Sequence, residues 1–146
     1  MGYKRPESVL VLIYDPQDRV LVLQRKDDPD FWQSVTGTIE LEELPIETAA
    51  REVHEETGID IIGSGYELVD TRVINQFEIR PQWRYKYPPG EFTNTEYVFT
   101  VCVDSTTPIV LTEHLTHCWL SPAEAQQKVW SQSNKEAIEN HFLNLC

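Results

Sequence analysis

The stretch that most constrains the fold lies between residues 37 and 59 and reads GTIELEELPIETAAREVHEETGI. Its second half predicts a helix, because Pro45 suits a first helical position, no breaker follows as far as His54, and Gly58 is a natural stop. Such a helix needs an apolar stripe that packs on a core. The residues that supply this stripe at helical spacing are Ile46, Ala49, Ala50 and Val53.

A second face of the same helix is acidic. At 3.6 residues per turn, Glu52, Glu55 and Glu56 fall within a sector of roughly 100°. Carboxylates three and four residues apart repel one another, so a bound cation is the obvious means of offsetting their charge. Hard oxygen ligands suit Mg²⁺, with Mn²⁺ as an alternative. A solvated face is the usual meaning of a charge run, but the flanking glycines and Glu43 in fixed register favour the metal interpretation.

The spacing of these residues resembles the Nudix box of the Nudix hydrolases. The matching positions are Gly37, five residues, Glu43, seven residues, Arg51-Glu52-Val53, one residue, Glu55-Glu56, one residue and Gly58-Ile59. This resemblance implies an enzyme that hydrolyses a diphosphate linkage with the help of Mg²⁺. It also implies the fold, an α+β three-layer α/β/α sandwich with a mixed sheet between helices.

The resemblance implies separate roles for the box residues. Glu52, Glu56 and the carbonyl of Gly37 would bind the metal, while Glu55 would act as a ligand through water or as the general base. The choice of proton acceptor among Glu52, Glu55 and Glu56 stays open. Glu43 and Arg51 would pair and hold the acidic face in place.

Two further positions follow from comparison with the family pattern. A fourth metal carboxylate is expected after the box, and Glu113 is the candidate, in a loop that leads into a tryptophan-containing strand. Many members carry Gly immediately before the loop Glu, whereas this chain has Glu42. The loop is therefore expected to differ locally in conformation.

The similarity extends to the flanks of the box, in RKDDPDFWQSVTG, EFTNTEYVF and LTEHLTHCWL. These segments are similar to the branch of the family that cleaves dihydroneopterin triphosphate to the monophosphate and pyrophosphate in bacterial folate biosynthesis. One alternative is a nucleoside triphosphate pyrophosphohydrolase of nucleotide-pool sanitation. The other is a non-catalytic Nudix-like domain that only binds a ligand, against which the intact acidic face argues.

A triphosphate needs cations besides the metal, and a flat ring needs an apolar slot. Arg25 is favoured for phosphate contact because it ends the strand that leads into the DDPDFWQ loop. The predicted substrate-binding residues are Lys4, Arg25, Thr36, Phe77, Glu78, Ile79, Arg80 and Ser131. The candidate walls of the ring slot are Phe31, Trp32, Phe77, Trp83 and Tyr85.

Length and charge bound the other possibilities. A chain of 146 residues suits a single domain, residues 1–146. Its 24 acidic against 12 basic residues, a formal charge of -12, disfavour nucleic acid or an anionic membrane as partner. The partner is thus expected to be a small-molecule triphosphate, and the oligomeric state is left open. Three scattered cysteines, Cys102, Cys118 and Cys146, favour a reduced, cytoplasmic setting.

The rest of the chain predicts strands around the box helix, and helices after them. Ser121-Pro122 has the order of a cap and first turn, and Ser133 with Glu136 predicts a capping box for a last helix that ends near Leu143. This succession favours a mixed sheet covered on both faces. The strands are predicted at residues 8–14, 19–24, 66–70, 72–79, 95–103, 108–111 and 118–120.

Overall fold

The computed structural model describes residues 2–143 and is built around a mixed seven-stranded sheet. Cys146 lies outside the described residues. The strands are β1 Glu7–Tyr14, β2 Val20–Arg25, β3 Trp32–Gln33, β4 Val35–Thr38, β5 Leu68–Glu78, β6 Thr93–Cys102 and β7 His114–Leu120. The helices are α1 Pro45–Thr57, α2 Ile61–Ser64, α3 Pro122–Lys128 and α4 Gln132–Ile138, with a 3₁₀ helix at Pro81–Lys86 and a π-helical turn at Glu139–Leu143.

Strand β1 lies at the centre of the sheet. It runs parallel to β6 along its whole length, from Glu7 beside Thr95 to Tyr14 beside Cys102. Its other edge is shared, because β4 pairs with its first half and β2 meets it only at Tyr14. Strand β2 continues the sheet by pairing with β3 and β7 instead. The sheet therefore forks beside β4, which carries Gly37.

Alternate residues of β1 point to opposite faces of the sheet, as in any strand. Val9, Val11 and Ile13 belong to the core cluster that also contains Ala49 and Val53 of α1. The other face carries two smaller clusters: Leu10 packs with Ala137 of α4, and Leu12 packs with Ala125 of α3. With helices on both faces, the predicted three-layer α/β/α sandwich is confirmed.

Two predicted apolar elements are different in the structure. Residues 108–111 form no strand; they run irregularly, and the Val110 N–H donates to the Thr57 carbonyl at 2.8 Å. Ile109 and Leu111 still pack on the core, so the apolar pattern is satisfied without strand pairing. Ile46 is also not part of the packed stripe, since it is 46% exposed. Thr48 takes an inward position on α1 instead.

The start of the last helix was also predicted wrongly. Ser131, and not Ser133, is the N-cap of α4, because its Oγ accepts from the Asn134 N–H at 3.1 Å. Two serines stand two residues apart there, and the pattern alone did not separate them. The tertiary structure does, because this register buries Asn134 against β3 and β4.

Within residues 2–143 no helix combines the length and apolar character needed to cross a membrane.

Candidate active site

Helix α1 presents the acidic face as the sequence predicts. Its first turn is closed by Glu47, whose Oε1 accepts from the Leu44 N–H at 2.8 Å, and Pro45 occupies the first helical position. It ends at Gly58, which takes a left-handed φ of 79° and donates its N–H to the His54 carbonyl. That backbone conformation favours glycine and stops the helix directly after the acidic residues.

Gly37 brings the backbone of β4 against Glu52. A Cβ atom added at Gly37 would lie 2.1 Å from Cδ of Glu52 and 2.2 Å from its Oε2. Any side chain at residue 37 would therefore displace the Glu52 carboxylate. This contact places main-chain atoms of β4 next to the acidic face.

Arg51 and Glu43 form the pair that the sequence predicts. Arg51 donates Nε to Glu43 Oε2 at 2.8 Å and Nη2 to Oε1 at 2.9 Å, a bidentate contact. Thr48 Oγ1 donates to the same carboxylate at 2.6 Å. Hydrogen bonds from Arg51 are the main cause that lowers the Glu43 pKa to about 2. Arg51 also contacts Glu52 and Glu55. We call the contacts of Arg51 with Glu43, Glu52 and Glu55 the clamp, which extends from the loop to the acidic face.

Glu42, next to this clamp, has a left-handed backbone with φ of 68°. This conformation is the one for which glycine carries no steric penalty, and it is strained for a side chain. The loop thus keeps a glycine-type turn although the residue is Glu. The predicted difference in loop conformation stays a prediction, and what the structure shows at Glu42 is a strained backbone.

Glu56 is the most deeply buried acid of α1, with 4% of its surface exposed. Its Oε1 has no hydrogen-bond partner among the described residues, and Nε2 of His114 lies 3.9 Å from it. Burial first, and then Glu52, raise the Glu56 pKa well above its usual range. Burial also raises the Glu52 pKa. A buried carboxylate oxygen without a donor calls for a proton or a cation.

These features fit a divalent cation, although the described part of the chain contains no preformed cluster of three His, Cys, Asp or Glu side chains. The donor set consists of carboxylates beside a main-chain strand, which is hard-oxygen chemistry. An open set of this kind suits an ion that retains water and substrate phosphate among its ligands.

Glu113 is the last residue of the segment 110–113, which is hydrogen-bonded to the C-terminal turn of α1. Thr112 Oγ1 donates to the Glu55 carbonyl at 2.9 Å, and the Val110 bond to Thr57 holds the same segment further along. Glu113 follows directly, exposed, just before β7. Its charge is among the causes that raise the Glu56 pKa, so it acts on the acidic face from outside α1.

An open cleft of about 1640 Å³ runs from the acidic face of α1 to the start of α4. Its wall includes all the residues predicted to act in metal binding, catalysis or substrate binding. These are Lys4, Arg25, Thr36, Gly37, Glu52, Glu55, Glu56, Phe77, Glu78, Ile79, Arg80, Glu113 and Ser131. The structure thus brings them together, and their individual roles stay predictions.

The aromatic residues divide into two groups. Phe77 and Trp83 line the cleft, whereas Trp32 packs against a core cluster and Tyr85 is 74% exposed outside it. Phe31 does not line the cleft either; its ring stacks on Trp130 with centroids 4.9 Å apart. Three of the five predicted ring walls are therefore not part of the cleft lining.

The favoured cation, Arg25, is already engaged. Its Nε and Nη2 donate to the two carboxylate oxygens of Asp27 at 2.8 and 2.6 Å, and this contact is the main cause that raises the Arg25 pKa. Its Nη1 donates to Gln33 at 3.4 Å. Lys4 lies in the same cleft, and burial lowers its pKa. A phosphate at Arg25 would share the guanidinium with Asp27.

Several residues of the cleft carry no recognisable signal in the sequence. Trp130 Nε1 donates to Gln33 Oε1 at 3.2 Å, and Gln33 Nε2 donates to Thr36 Oγ1 at 3.2 Å. The fully buried Asn134 accepts from the Ser34 N–H at 2.8 Å. These contacts join the start of α4 to β3 and β4. The strands involved are too short for a period-2 pattern, so no local signal marked them.

Comparison with known proteins agrees with this geometry. The model of the NUDIX domain matches residues 4–141. The dihydroneopterin triphosphate diphosphatase of Haemophilus influenzae is 48% identical over 146 residues, covering 99% of this chain and 92% of that protein. The enzyme of the same name from Escherichia coli K12 is 46% identical over 144 residues, covering 97% and 95%.

A solved structure, that of the E. coli dihydroneopterin triphosphate pyrophosphohydrolase, superposes with a TM-score of 0.92 at 44% identity. The match covers 99% of this chain and 100% of the other. Because the domain model spans nearly the whole chain and full-length relatives exceed 45% identity, this chain belongs to the Nudix hydrolase family.

Proposed function

We propose that this protein hydrolyses dihydroneopterin triphosphate to dihydroneopterin monophosphate and pyrophosphate, with Mg²⁺ as the cofactor. The observation that carries the proposal is the shared cleft, in which the acidic face of α1 and the predicted substrate residues of the flanks line one wall. Relatives that carry this activity in their names match the chain from end to end at 46–48% identity. Those matches include the flanks, where substrate selection must reside.

We assign metal binding, positioning of the carboxylates and proton removal to different residues of the chain. Glu52, Glu56, Glu113 and the Gly37 carbonyl would hold the cation, which when bound would neutralise charge on the phosphate oxygens. Arg51, fixed by Glu43, restrains the Glu52 and Glu55 carboxylates. Of Glu52, Glu55 and Glu56, Glu55 has the most exposed side chain, which leaves it accessible to water as a proton acceptor. We assign proton removal to the set Glu52, Glu55 and Glu56.

The position of cleavage follows from the products. Attack by water at the phosphorus nearest the pterin side chain breaks its bond to the bridging oxygen, and the other two phosphates leave as pyrophosphate. The monophosphate stays on the organic product. Lys4 and Arg80 both line the cleft and would offset charge on the triphosphate.

The rival substrate class is a nucleoside triphosphate, including oxidised guanine nucleotides. It would use the same acidic face and a different ring slot. A purely ligand-binding role is disfavoured by the buried Glu56 oxygen, which has no partner within residues 2–143, because such an oxygen destabilises the fold unless a proton or cation satisfies it.

The test is a substrate panel with the purified protein and Mg²⁺, using dihydroneopterin triphosphate, GTP, dATP and 8-oxo-dGTP, with identification of products. We expect pyrophosphate, and not orthophosphate, and a kcat/KM on the pterin about tenfold or more above that on the nucleotides. Equal or better efficiency on a nucleotide would replace the substrate assignment. Binding without turnover would revive the ligand-binding alternative.

Two expectations accompany this proposal. The substrate is a small molecule, and nucleic acid is not a partner, since the net charge of -12 opposes a polyanion. We also propose a cytoplasmic location, where the free thiols of Cys102 and Cys118 would stay reduced.

A further inference from the structure

Three acidic residues in the described part of the chain are almost completely buried: Asp15, Glu56 and Glu96, at 0%, 4% and 5% exposure. Asp15 is satisfied locally, because it accepts from the Gln17 and Arg19 N–H groups and pairs with Arg19 Nε at 2.8 Å. Glu56 belongs to the acidic face of α1. Glu96 has no role in either arrangement, so its burial needs another reason.

Glu96 lies in the middle of β6 with few partners of its own. Asn75 Nδ2 donates to its Oε1 at 3.3 Å, a long contact, and Ser133 also lies within its reach. Among residues 2–143, no Lys, Arg or His nitrogen comes within 4.0 Å of its carboxylate. Buried carboxylates are ordinarily paired with a cation or saturated with donors. Glu96 therefore retains acceptor capacity inside the protein.

That spare capacity is directed towards the cleft. Glu96 lines the cleft together with Asn75, Phe77 and Asn94. In the β5–β6 pairing, Asn75 is opposite Glu96 and Phe77 is opposite Asn94, so all four side chains lie on one face of the sheet. Ser133 of α4 also lines the cleft. We call the space bounded by these five residues the β5–β6 recess.

The recess has the composition of a site for a flat heterocycle. Phe77 is 43% exposed and offers a ring face, while the carboxylate of Glu96 and the amides of Asn75 and Asn94 offer polar contacts. Asn94 is itself held, because its Nδ2 donates to Ser8 Oγ at 2.7 Å. An apolar face with a few fixed polar groups is what small-molecule sites use for orientation.

We propose that Glu96 is the specificity residue of the cleft and binds a ring edge that presents two adjacent N–H donors, the edge of a 2-amino-4-oxopyrimidine. A carboxylate accepts two parallel donors, as it does from a guanidinium. The ring N–H and the neighbouring amino group of a pterin form such a pair. An adenine edge does not, since it sets a ring acceptor beside its amino group and would face the carboxylate with a lone pair.

This inference rests on the proposed function for the identity of the ring, but its chemistry is broader. Guanine carries the same donor pair, and hypoxanthine differs from guanine only by lacking the 2-amino group. A comparison of GTP with ITP therefore isolates the contact made by that group. The comparison does not depend on whether the pterin is the natural substrate.

The experiment measures kcat/KM for dihydroneopterin triphosphate, GTP and ITP with wild-type protein, Glu96→Gln and the control Glu91→Gln. Glu91 is exposed, lies outside the cleft lining and precedes the same strand. Glutamine retains the shape of Glu96 but offers one acceptor and one donor group. We expect about a 100-fold loss on the pterin and on GTP, with ITP changed much less, because unpaired polar groups reject a ligand strongly.

The GTP-to-ITP ratio of kcat/KM should consequently fall towards one in Glu96→Gln and stay at its wild-type value in Glu91→Gln. An equal loss on all three substrates would show that Glu96 only supports the structure, and an unchanged ratio would also overturn the proposal. If Glu96→Gln does not fold, Glu96→Asp provides the same comparison, because it withdraws the carboxylate by one methylene.

Failure of the proposed function gives a different result. Wild-type protein would then leave dihydroneopterin triphosphate intact, while a GTP-to-ITP preference abolished by Glu96→Gln would still support the ring contact. A wild-type protein that treats GTP and ITP alike would contradict the inference about Glu96 directly.

Discussion

Glu56 shows how burial at a single residue links metal binding to stability. Its folded pKa is raised, so in the absence of metal it lowers stability as the pH rises above the unfolded value near 4.5. At pH 7 the metal-free protein therefore carries an unfavourable buried charge or an extra bound proton. A divalent cation that binds the folded state should relieve this cost.

Glu56→Gln tests this coupling. We expect the variant to fold, to be at least as stable as wild type without metal at pH 7, and to lose most of its activity. Saturating Mg²⁺ should raise the thermal unfolding midpoint of wild-type protein and leave that of the variant nearly unchanged. Near wild-type turnover, or an undiminished Mg²⁺ shift, would contradict the assignment of Glu56 as a metal ligand.

The predicted role of Glu113 in metal binding depends on how the segment before β7 is held against α1. Its segment is anchored to α1 through Thr112 and Val110, but Glu113 itself is exposed, so its removal should leave folding largely intact. We expect Glu113→Ala to reduce turnover at least about tenfold, or roughly 1.4 kcal/mol in the barrier, and to raise the Mg²⁺ concentration needed for half-maximal rate. Glu67→Ala, an exposed acid elsewhere, serves as the control. Unaltered Mg²⁺ dependence would mean that the fourth carboxylate lies elsewhere.

At the scale of elements, the contact between Glu43 and Arg51 joins the box loop to α1. The Glu43 pKa is lowered to about 2, so its contribution is fully present above the unfolded value near 4.5 and is lost as the pH falls towards 2. The corresponding stabilisation is on the order of 3 kcal/mol, and the side chain is only 16% exposed. Glu43→Gln should therefore be less stable than wild type at pH 7, and the difference should shrink steadily between pH 4.5 and pH 2. Denaturant unfolding at several pH values measures this difference in the free energy of unfolding. A difference that does not change with pH would show that the Glu43–Arg51 pair does not cause the loss of stability.

Elements defined by neighbouring residues can be predicted from the sequence, whereas elements defined by distant contacts cannot. Helix α1 was predicted with its start, its end and its acidic face, because each is set by residues within a turn or two of one another. Strands β3 and β4 were missed, since they have only two and four residues and Ser34 interrupts them. Ser131 was overlooked as a cap for a related reason. Its choice over Ser133 is settled by Asn134, which bonds to Ser34 a hundred positions away.

At the scale of the whole molecule, the order of strands and helices predicts the three layers. The sequence predicts the lining of the cleft only in part. Trp130 and Gln33 meet across 97 positions of sequence, and no local pattern reports such a contact. The acids show the same division. Glu52, Glu55 and Glu56 were found from spacing, whereas the burial of Glu96 depends on β5 and α4 closing around β6.

The left-handed backbone at Glu42 bears on how this loop can vary among descendants of the chain. Glutamate and glycine codons differ only at their middle base, so one transition replaces the strained residue by the one that suits its φ of 68°. The Glu43 and Arg51 contacts beside it involve other side chains and need no compensating change. Chains with glutamate or glycine at this position therefore differ by a single base change. Substitution in either direction is tolerated wherever the protein is more stable than folding requires.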